Sequence, residues 1–308
     1  MLRPLILVPA WSFYALGAHT APGTVLATVI TESGFWCLSA LLACAYVLNQ
    51  IFDRESDALN DKGLHLTRGV FGTRTMLAVA LVCFAGSALL FQQVDRSQQL
   101  PLTLAFVLGL AYSLPPLRLC ARPYFDLAAN ALGYGGLAFV IGATGHGASF
   151  ADAWRNGVPW VFLVAATFLY TAILDVDGDA ASGKRTTTVA IGVRASAWVA
   201  VLFALGAAGD AAFSFLERGT RAFPVVVNVL GLIAFIAGAL GMERAARLGT
   251  ASRMGARARA GSLTVQLVTL LVAAAAVLRD PLLLLLLLPV VAAARAYYRA
   301  RFGLSYPG

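Results

Sequence analysis

Apolar residues fill this chain in long runs separated by short polar loops. Ten runs approach the ~20 residues a helix needs to cross a hydrocarbon core roughly 30 Å thick. They lie near residues 4–20, 35–53, 75–94, 99–115, 125–144, 158–175, 193–214, 223–243, 260–278 and 281–300. The last two are parted only by Arg279-Asp280-Pro281, so nine spans with a broken final one is the alternative count. The pattern predicts an all-α, polytopic membrane bundle of nine to ten transmembrane helices, one integral-membrane domain over residues 1–308.

Charge sets the expected orientation. With the N-terminus inside, the outer loops carry Arg96, Arg155, Arg218, Arg221 and Arg279, and the rest of the 23 Lys and Arg residues fall on the inner side. That asymmetry puts both termini in the cytoplasm, the C-terminus near Tyr306, and favours ten spans. The stretch MLRPLILVPAWSFYALGAHTAPG has the look of a signal peptide but is read as an uncleaved first span, because many further spans follow.

Composition agrees. The chain is 59% hydrophobic and 12% charged, with a mean hydropathy of +0.78, where a soluble domain carries about 25% charged residues. The net charge of +8 is explained by the inner loops, so no nucleic-acid partner is expected; the partner is the bilayer. The four cysteines, Cys37, Cys44, Cys83 and Cys120, lack metal-site spacing and read as small buried hydrophobes.

Two polar clusters interrupt this apolar background. In AYVLNQIFDRESDALNDKG, from Ala45, the oxygen ligands Asn49, Asp53 and Asp57 recur every four residues, which on a helix makes one stripe. Glu55 points elsewhere and reads as solvated. In LDVDGD, from Leu174, Asp175 and Asp179 repeat the four-residue step, and Asp177 points away unless the helix unwinds at Gly178. Acidic residues at a membrane edge are expensive and so suggest a functional site. Four spans separate the two clusters, so both emerge on the cytoplasmic face. Hard oxygen donors facing one another suit Mg²⁺, which commonly takes a couple of carboxylates and completes its shell with phosphate and water. The ordinary alternative is a pair of acidic helix ends, solvated or neutralised by Lys184 and Arg185.

Between the clusters, Pro115 and Pro116 end the fourth span, and Arg118 and Arg122 offer guanidinium forks suited to phosphate oxygens. They also serve as topology signals. Asp126 and Asn130 form another four-step polar pair, with Tyr134 continuing the face. Tyr46, Tyr112, Tyr134 and Tyr170 could line a cavity in which ring faces stabilise a carbocation; ordinary packing is the plainer account of any one of them. Each half also runs from an acidic helix end into a Gly- and Thr-containing basic loop, which suggests an internal duplication around a central cavity.

These motifs resemble the UbiA superfamily of intramembrane prenyltransferases, from the first span through Gly192. The first motif of that family, N-[DQ]-x-x-D-x-x-x-D, stands here as Asn49-Gln50-Ile51-Phe52-Asp53-Arg54-Glu55-Ser56-Asp57. Its second stands as Asp175-Val176-Asp177-Gly178-Asp179 with Gly183, Thr186 and Gly192, and YSLPPLRL from Tyr112 resembles the end of the fourth span. The resemblance departs at three positions: Leu64 and Cys120 stand where relatives often carry a base, and Ala172 where many carry Asp.

The resemblance implies an integral membrane enzyme that moves a prenyl group from an allylic isoprenyl diphosphate to a lipophilic, aromatic acceptor. Asn49, Asp53, Asp57, Asp175 and Asp179 would hold Mg²⁺, and the four aspartates would be the catalytic set. Lys62, Arg68, Arg118, Arg122, Lys184 and Arg185 are the candidates for the diphosphate. Tyr46, Tyr112, Asn130, Tyr134 and Tyr170 are the candidates for the acceptor cavity. A membrane terpene cyclase with the same ionisation step, and a cation transporter, are the alternative readings. A transporter should hold its ion near the bilayer midplane, whereas these acids sit at helix ends beside basic loops.

Overall fold

Hydrocarbon offers no hydrogen bonds, so a spanning backbone must satisfy its own N–H and C=O groups. The computed structural model describes residues 4–20 and 29–303, and among these the regular structure is helical, with no strand. Fourteen α-helices follow in order: α1 Pro4–Ala18, α2 Ser33–Phe52, α3 Arg54–Leu59, α4 Leu64–Thr67, α5 Thr73–Phe91, α6 Arg96–Ser113 and α7 Phe125–Asn130; then α8 Ala138–Gly145, α9 Phe150–Ala181, α10 Thr187–Ile191, α11 Val193–Arg218, α12 Phe223–Ala246, α13 Thr250–Arg279 and α14 Leu283–Phe302. A π-helical stretch, Ala131–Leu137, joins α7 to α8 in one continuous span.

Each of the ten expected stretches coincides with helix. Among the described residues, eight helices are long and apolar enough to cross a membrane. The two that fall short are α1, a shorter apolar helix, and α6, whose first turn carries the polar run RSQQ. The chain is an integral, multi-pass membrane protein. Tyr306, at the expected cytoplasmic terminus, lies outside the described residues.

Lipid tails are as apolar as leucine, so close packing rather than water exclusion holds such helices together, and small residues let backbones approach. The contact between α1 and α8 shows this on both sides. A Cβ on Gly17 would overlap the Phe139 carbonyl, and one on Gly142 would overlap the Tyr14 carbonyl. Around that seam Trp11, Phe13, Tyr14, Phe35, Phe139 and Trp160 are buried together. α14 is docked on the loop helix α4 through His65, whose Nε2 lies 3.1 Å from the Tyr297 hydroxyl and whose ring stacks on Tyr297 at 5.6 Å.

Candidate active site

The first acidic stripe is not one straight helix. α2 stops at Phe52, Asp53 takes φ −100° and ψ 15°, and α3 restarts at Arg54. The i to i+4 ladder nevertheless survives the kink: Asp53 N–H donates to the Asn49 carbonyl and Asp57 N–H to the Asp53 carbonyl, each at 2.8 Å. Asn49, Asp53 and Asp57 therefore keep their common stripe while Asp53 is turned inward and buried. Glu55 is exposed, as expected. The chain then reverses at Gly63 (φ 58°), where a Cβ would meet Asp57 Oδ2 at 2.5 Å. That close approach carries Lys62 back over the acids.

The second stripe stays helical through Gly178 to Ala181. Asp175 and Asp179 share a face; Asp177 lies off it, exposed, in an ion pair with Arg257 of α13. Asn60 ties the two acidic segments together, its Oδ1 accepting from the Gly178 N–H at 3.2 Å.

Cations from three different loops meet these carboxylates. Lys184 Nζ lies 2.8 Å from Asp53 Oδ2 and 4.0 Å from Asp179 Oδ1. Arg118 Nη2 donates to Asp53 Oδ1 at 3.1 Å and to the Phe52 carbonyl at 2.8 Å. Lys62 pairs with Asp175. Arg118 reaches inward from a left-handed backbone position (φ 40°), a conformation costing on the order of 1–3 kcal/mol in a non-glycine residue and found disproportionately at functional sites. Burial lowers the Lys184 pKa, but the Asp53 and Asp179 carboxylates outweigh it and push the pKa up to about 12. Cys120, at one of the departure positions, is buried with its Sγ 3.8 Å from Asp53 Oδ1. Burial and then that carboxylate push its thiol up to about 12, so it stays neutral. Lys184 and Arg118 thus stand where a base at position 120 would compete for Asp53.

Three candidate bases are not brought to this centre. Arg68 pairs with Asp61 at 3.0 Å and lies over the Phe302 ring. Arg122 donates to the Pro116 carbonyl at 2.8 Å, and Arg185 is exposed. All three side chains are exposed. Leu64 is itself buried in α4 and offers no charge.

A cavity of about 460 Å³ opens below the acids, lined at its polar end by Lys62 and Asp175. Tyr46, Tyr112, Asn130 and Tyr134 line it, together with apolar residues of α1, α9 and α13 and with Ala294 and Tyr298 of α14. Tyr134, in the π-helical stretch, donates its hydroxyl to the Ile6 carbonyl, and Asn130 Nδ2 donates to the Asp126 carbonyl at 3.0 Å. Tyr170 requires a correction: it is fully buried on the other side of α9, its hydroxyl donating to the Phe235 carbonyl at 3.1 Å. A single residue along α9, a rotation of about 100°, separates the lining Thr171 from the packed Tyr170.

Asp126 has a part that its spacing did not suggest. Its fully buried carboxylate accepts from the Thr187 N–H and the Leu127 N–H, each at 2.8 Å, and from the Thr187 hydroxyl. It therefore latches the start of α10, three residues after Lys184, onto α7.

The donor set suits a hard divalent cation: carboxylate and amide oxygens on two facing segments. Among the described residues, no three His, Cys, Asp or Glu side chains converge closely enough to hold an ion by themselves. Mg²⁺ does not require that, since one or two carboxylates with substrate phosphate and water complete its octahedron.

A model of the UbiA prenyltransferase family matches residues 6–247. The digeranylgeranylglyceryl phosphate synthase of Halobacterium salinarum is 32% identical over 224 residues, 70% of this chain and 76% of that protein. The lycopene elongase/hydratase of Haloferax volcanii is 30% identical over 195 residues, 61% of this chain and 62% of that protein. The fold matches a UbiA homolog from Archaeoglobus fulgidus bound to GPP and Mg²⁺, with a TM-score of 0.66 at 20% identity over 88% of this chain and 98% of that one. It also matches the apo structure of a UbiA homolog from Aeropyrum pernix K1, with a TM-score of 0.68 at 16% identity over 90% of this chain and 99% of that one.

Proposed function

The chain belongs to the UbiA prenyltransferase family, and from that premise we propose that its two acidic helix ends form one Mg²⁺-diphosphate site serving prenyl transfer to a lipophilic, aromatic acceptor. The observation that carries the reading is Lys184, whose one ammonium reaches Asp53 of the first motif and Asp179 of the second. Two like-charged helix ends held that close have a purpose when a cation and an anionic substrate complete the site. The Archaeoglobus fulgidus homolog bound to GPP and Mg²⁺ supports this donor class.

Asn49, Asp53, Asp57, Asp175 and Asp179 are the oxygen donors that would hold Mg²⁺. When bound, the metal supplies positive charge against the leaving diphosphate oxygens. Lys62, Arg118 and Lys184 add charge-assisted hydrogen bonds to the same oxygens, and these strengthen as charge develops there. The allylic C1–O bond breaks with its electron pair leaving on diphosphate. A pair from the acceptor then forms the new bond to C1, and the proton the acceptor loses goes to the released diphosphate.

The 460 Å³ cavity directly below the acids receives the apolar parts of both substrates, and its size lies in the range of small-molecule sites. Tyr46, Tyr112 and Tyr134 line that cavity, where ring faces would stabilise the cation. Walls that exclude water keep the cation from becoming an alcohol. The basic loops around the acids favour a cytoplasmic position for this mouth. Mass spectrometry of lipids from cells expressing the chain tests the reading. A prenylated lipid should accumulate with wild type and be missing with Asp53→Ala. An acceptor-free cyclic product would instead support the cyclase.

A further inference from the structure

α13 contributes three polar side chains to the cavity wall, Ser262, Gln266 and Thr269. Their spacing of four and three residues stacks them on one helical face. Opposite them, α9 presents Thr167 and Thr171. The register of the two helices is fixed by the Arg257–Asp177 pair and, further in, by Gly261, where a Cβ would meet Leu174 Cδ2 at 2.8 Å. Counting inward from that pair at ~1.5 Å per residue, Ser262 and Thr171 lie about 8–9 Å deep, and Gln266 and Thr167 about 14–15 Å deep. The strip therefore runs below the acidic mouth at hydrocarbon depth.

Ser262, Gln266 and Thr269 have no hydrogen-bond partner among the described residues. Other polar side chains on these helices do: Thr264 donates to the Ala260 carbonyl at 2.9 Å, and Thr167 and Thr171 donate to carbonyls of their own helix. Ser262 and Thr269 are half-buried and Gln266 is exposed along the cavity wall, and polar side chains kept at bilayer depth mark a functional position. The donor gives them no use, because a prenyl tail offers no hydrogen-bonding group. A second substrate does.

Charge narrows the class of that substrate. Among the described residues lining the cavity, Lys62 and Asp175 are the charged ones, and they are paired with each other at the mouth. Nothing along the α13 strip would neutralise a second anion. The strip also lies beyond residue 247, where the family match ends.

We propose that Ser262, Gln266 and Thr269 recognise the acceptor, and that the acceptor is an uncharged, hydroxyl-bearing lipid rather than one carrying phosphate. This rests on the prenyl-transfer reading and names its second substrate.

The test uses the full chain in nanodiscs, with a tailed hydroquinone, its dimethyl ether and its monophosphate ester as probes. Binding is read as a rise in Tm without donor, and transfer is read with geranyl diphosphate and Mg²⁺. The hydroquinone alone should raise Tm and accept the prenyl group. Gln266→Leu should weaken its apparent affinity about three- to tenfold, and Gln266→Leu with Thr269→Val about 10- to 100-fold, as expected for losing one and two neutral hydrogen bonds. The rise given by geranyl diphosphate with Mg²⁺ should stay at its wild-type size in both variants. An equal response to the dimethyl ether, a preference for the phosphate ester, no response to the hydroquinone, or a wild-type response in the double variant each overturns the proposal. If the wild type instead ignored geranyl diphosphate with Mg²⁺ yet kept a Gln266-dependent hydroquinone response, the transfer reading would fall and the acceptor site would stand.

Discussion

The Lys184 ammonium sits 2.8 Å from the Asp53 carboxylate, joining the loop after the second acidic motif to the kink that ends the first. Both groups are buried or nearly so, so neither charge is screened by bulk water. Breaking such a pair by removing one partner costs more than the pair itself contributes, because the other charge is left uncompensated.

Arg118→Gln and Lys184→Gln should therefore lower kcat more than they raise KM for the donor. A contact that strengthens as diphosphate departs is worth ~2–4 kcal/mol, roughly 30- to 1,000-fold in rate. Steady-state kinetics at fixed acceptor over a range of Mg²⁺ checks this. A change confined to KM, or none, would make both residues topology signals.

Asp126→Asn should loosen the latch on Thr187 and with it the position of Lys184. Hydrogen bonds to a buried carboxylate are worth ~1.5–3 kcal/mol, so Tm should fall. A misplacement of about 1 Å can cost roughly 100-fold in rate, so kcat should fall too, with donor KM nearly unchanged. Asp126→Ala should be worse in both respects. Wild-type kcat in a destabilised Asp126→Asn protein would reduce Asp126 to a purely structural role.

At the opposite end of the bundle, His146 Nε2 lies 2.9 Å from Glu32 Oε1. The hydrogen bond to Glu32 raises the His146 pKa above its ordinary 6.5, against the opposing effect of burial. A raised folded-state pKa means the pair's stabilisation is complete below about pH 6.5 and is lost as pH rises through the folded value. His146→Gln should thus lower Tm at pH 5.5, by the equivalent of about 1 kcal/mol, and hardly at all at pH 9. Melting curves at the two pH values check the sign.

Much of the site is legible in the sequence because its logic is local. Asn49, Asp53, Asp57, Asp175 and Asp179 announce themselves by a four-residue step at the ends of apolar runs. The helices preserve that step even through the kink at Asp53. Tyr170 is misplaced because a tyrosine in an apolar span shows its type but not its face, and α9 buries that face against Phe235. The bases divide for a similar reason. Lys62, Arg118 and Lys184 turn inward through Gly63, a left-handed Arg118 and the Asp126 latch, whereas Arg68, Arg122 and Arg185 are exposed. The strip of Ser262, Gln266 and Thr269 is in reach of the same periodic reading, since three polar residues on one face of an apolar run are unusual. It stays inconspicuous because none of them is charged.

The central claim is that both acidic motifs serve one site, and Mg²⁺-dependent donor binding tests it most directly. Calorimetric titration of geranyl diphosphate into the full chain should give binding with Mg²⁺ and little without it. Asp53→Asn and Asp175→Asn, each folded by its melting curve, should both lose the Mg²⁺-dependent part. If either variant bound geranyl diphosphate with wild-type affinity and metal dependence, a single Mg²⁺-diphosphate centre shared by the two motifs would be contradicted.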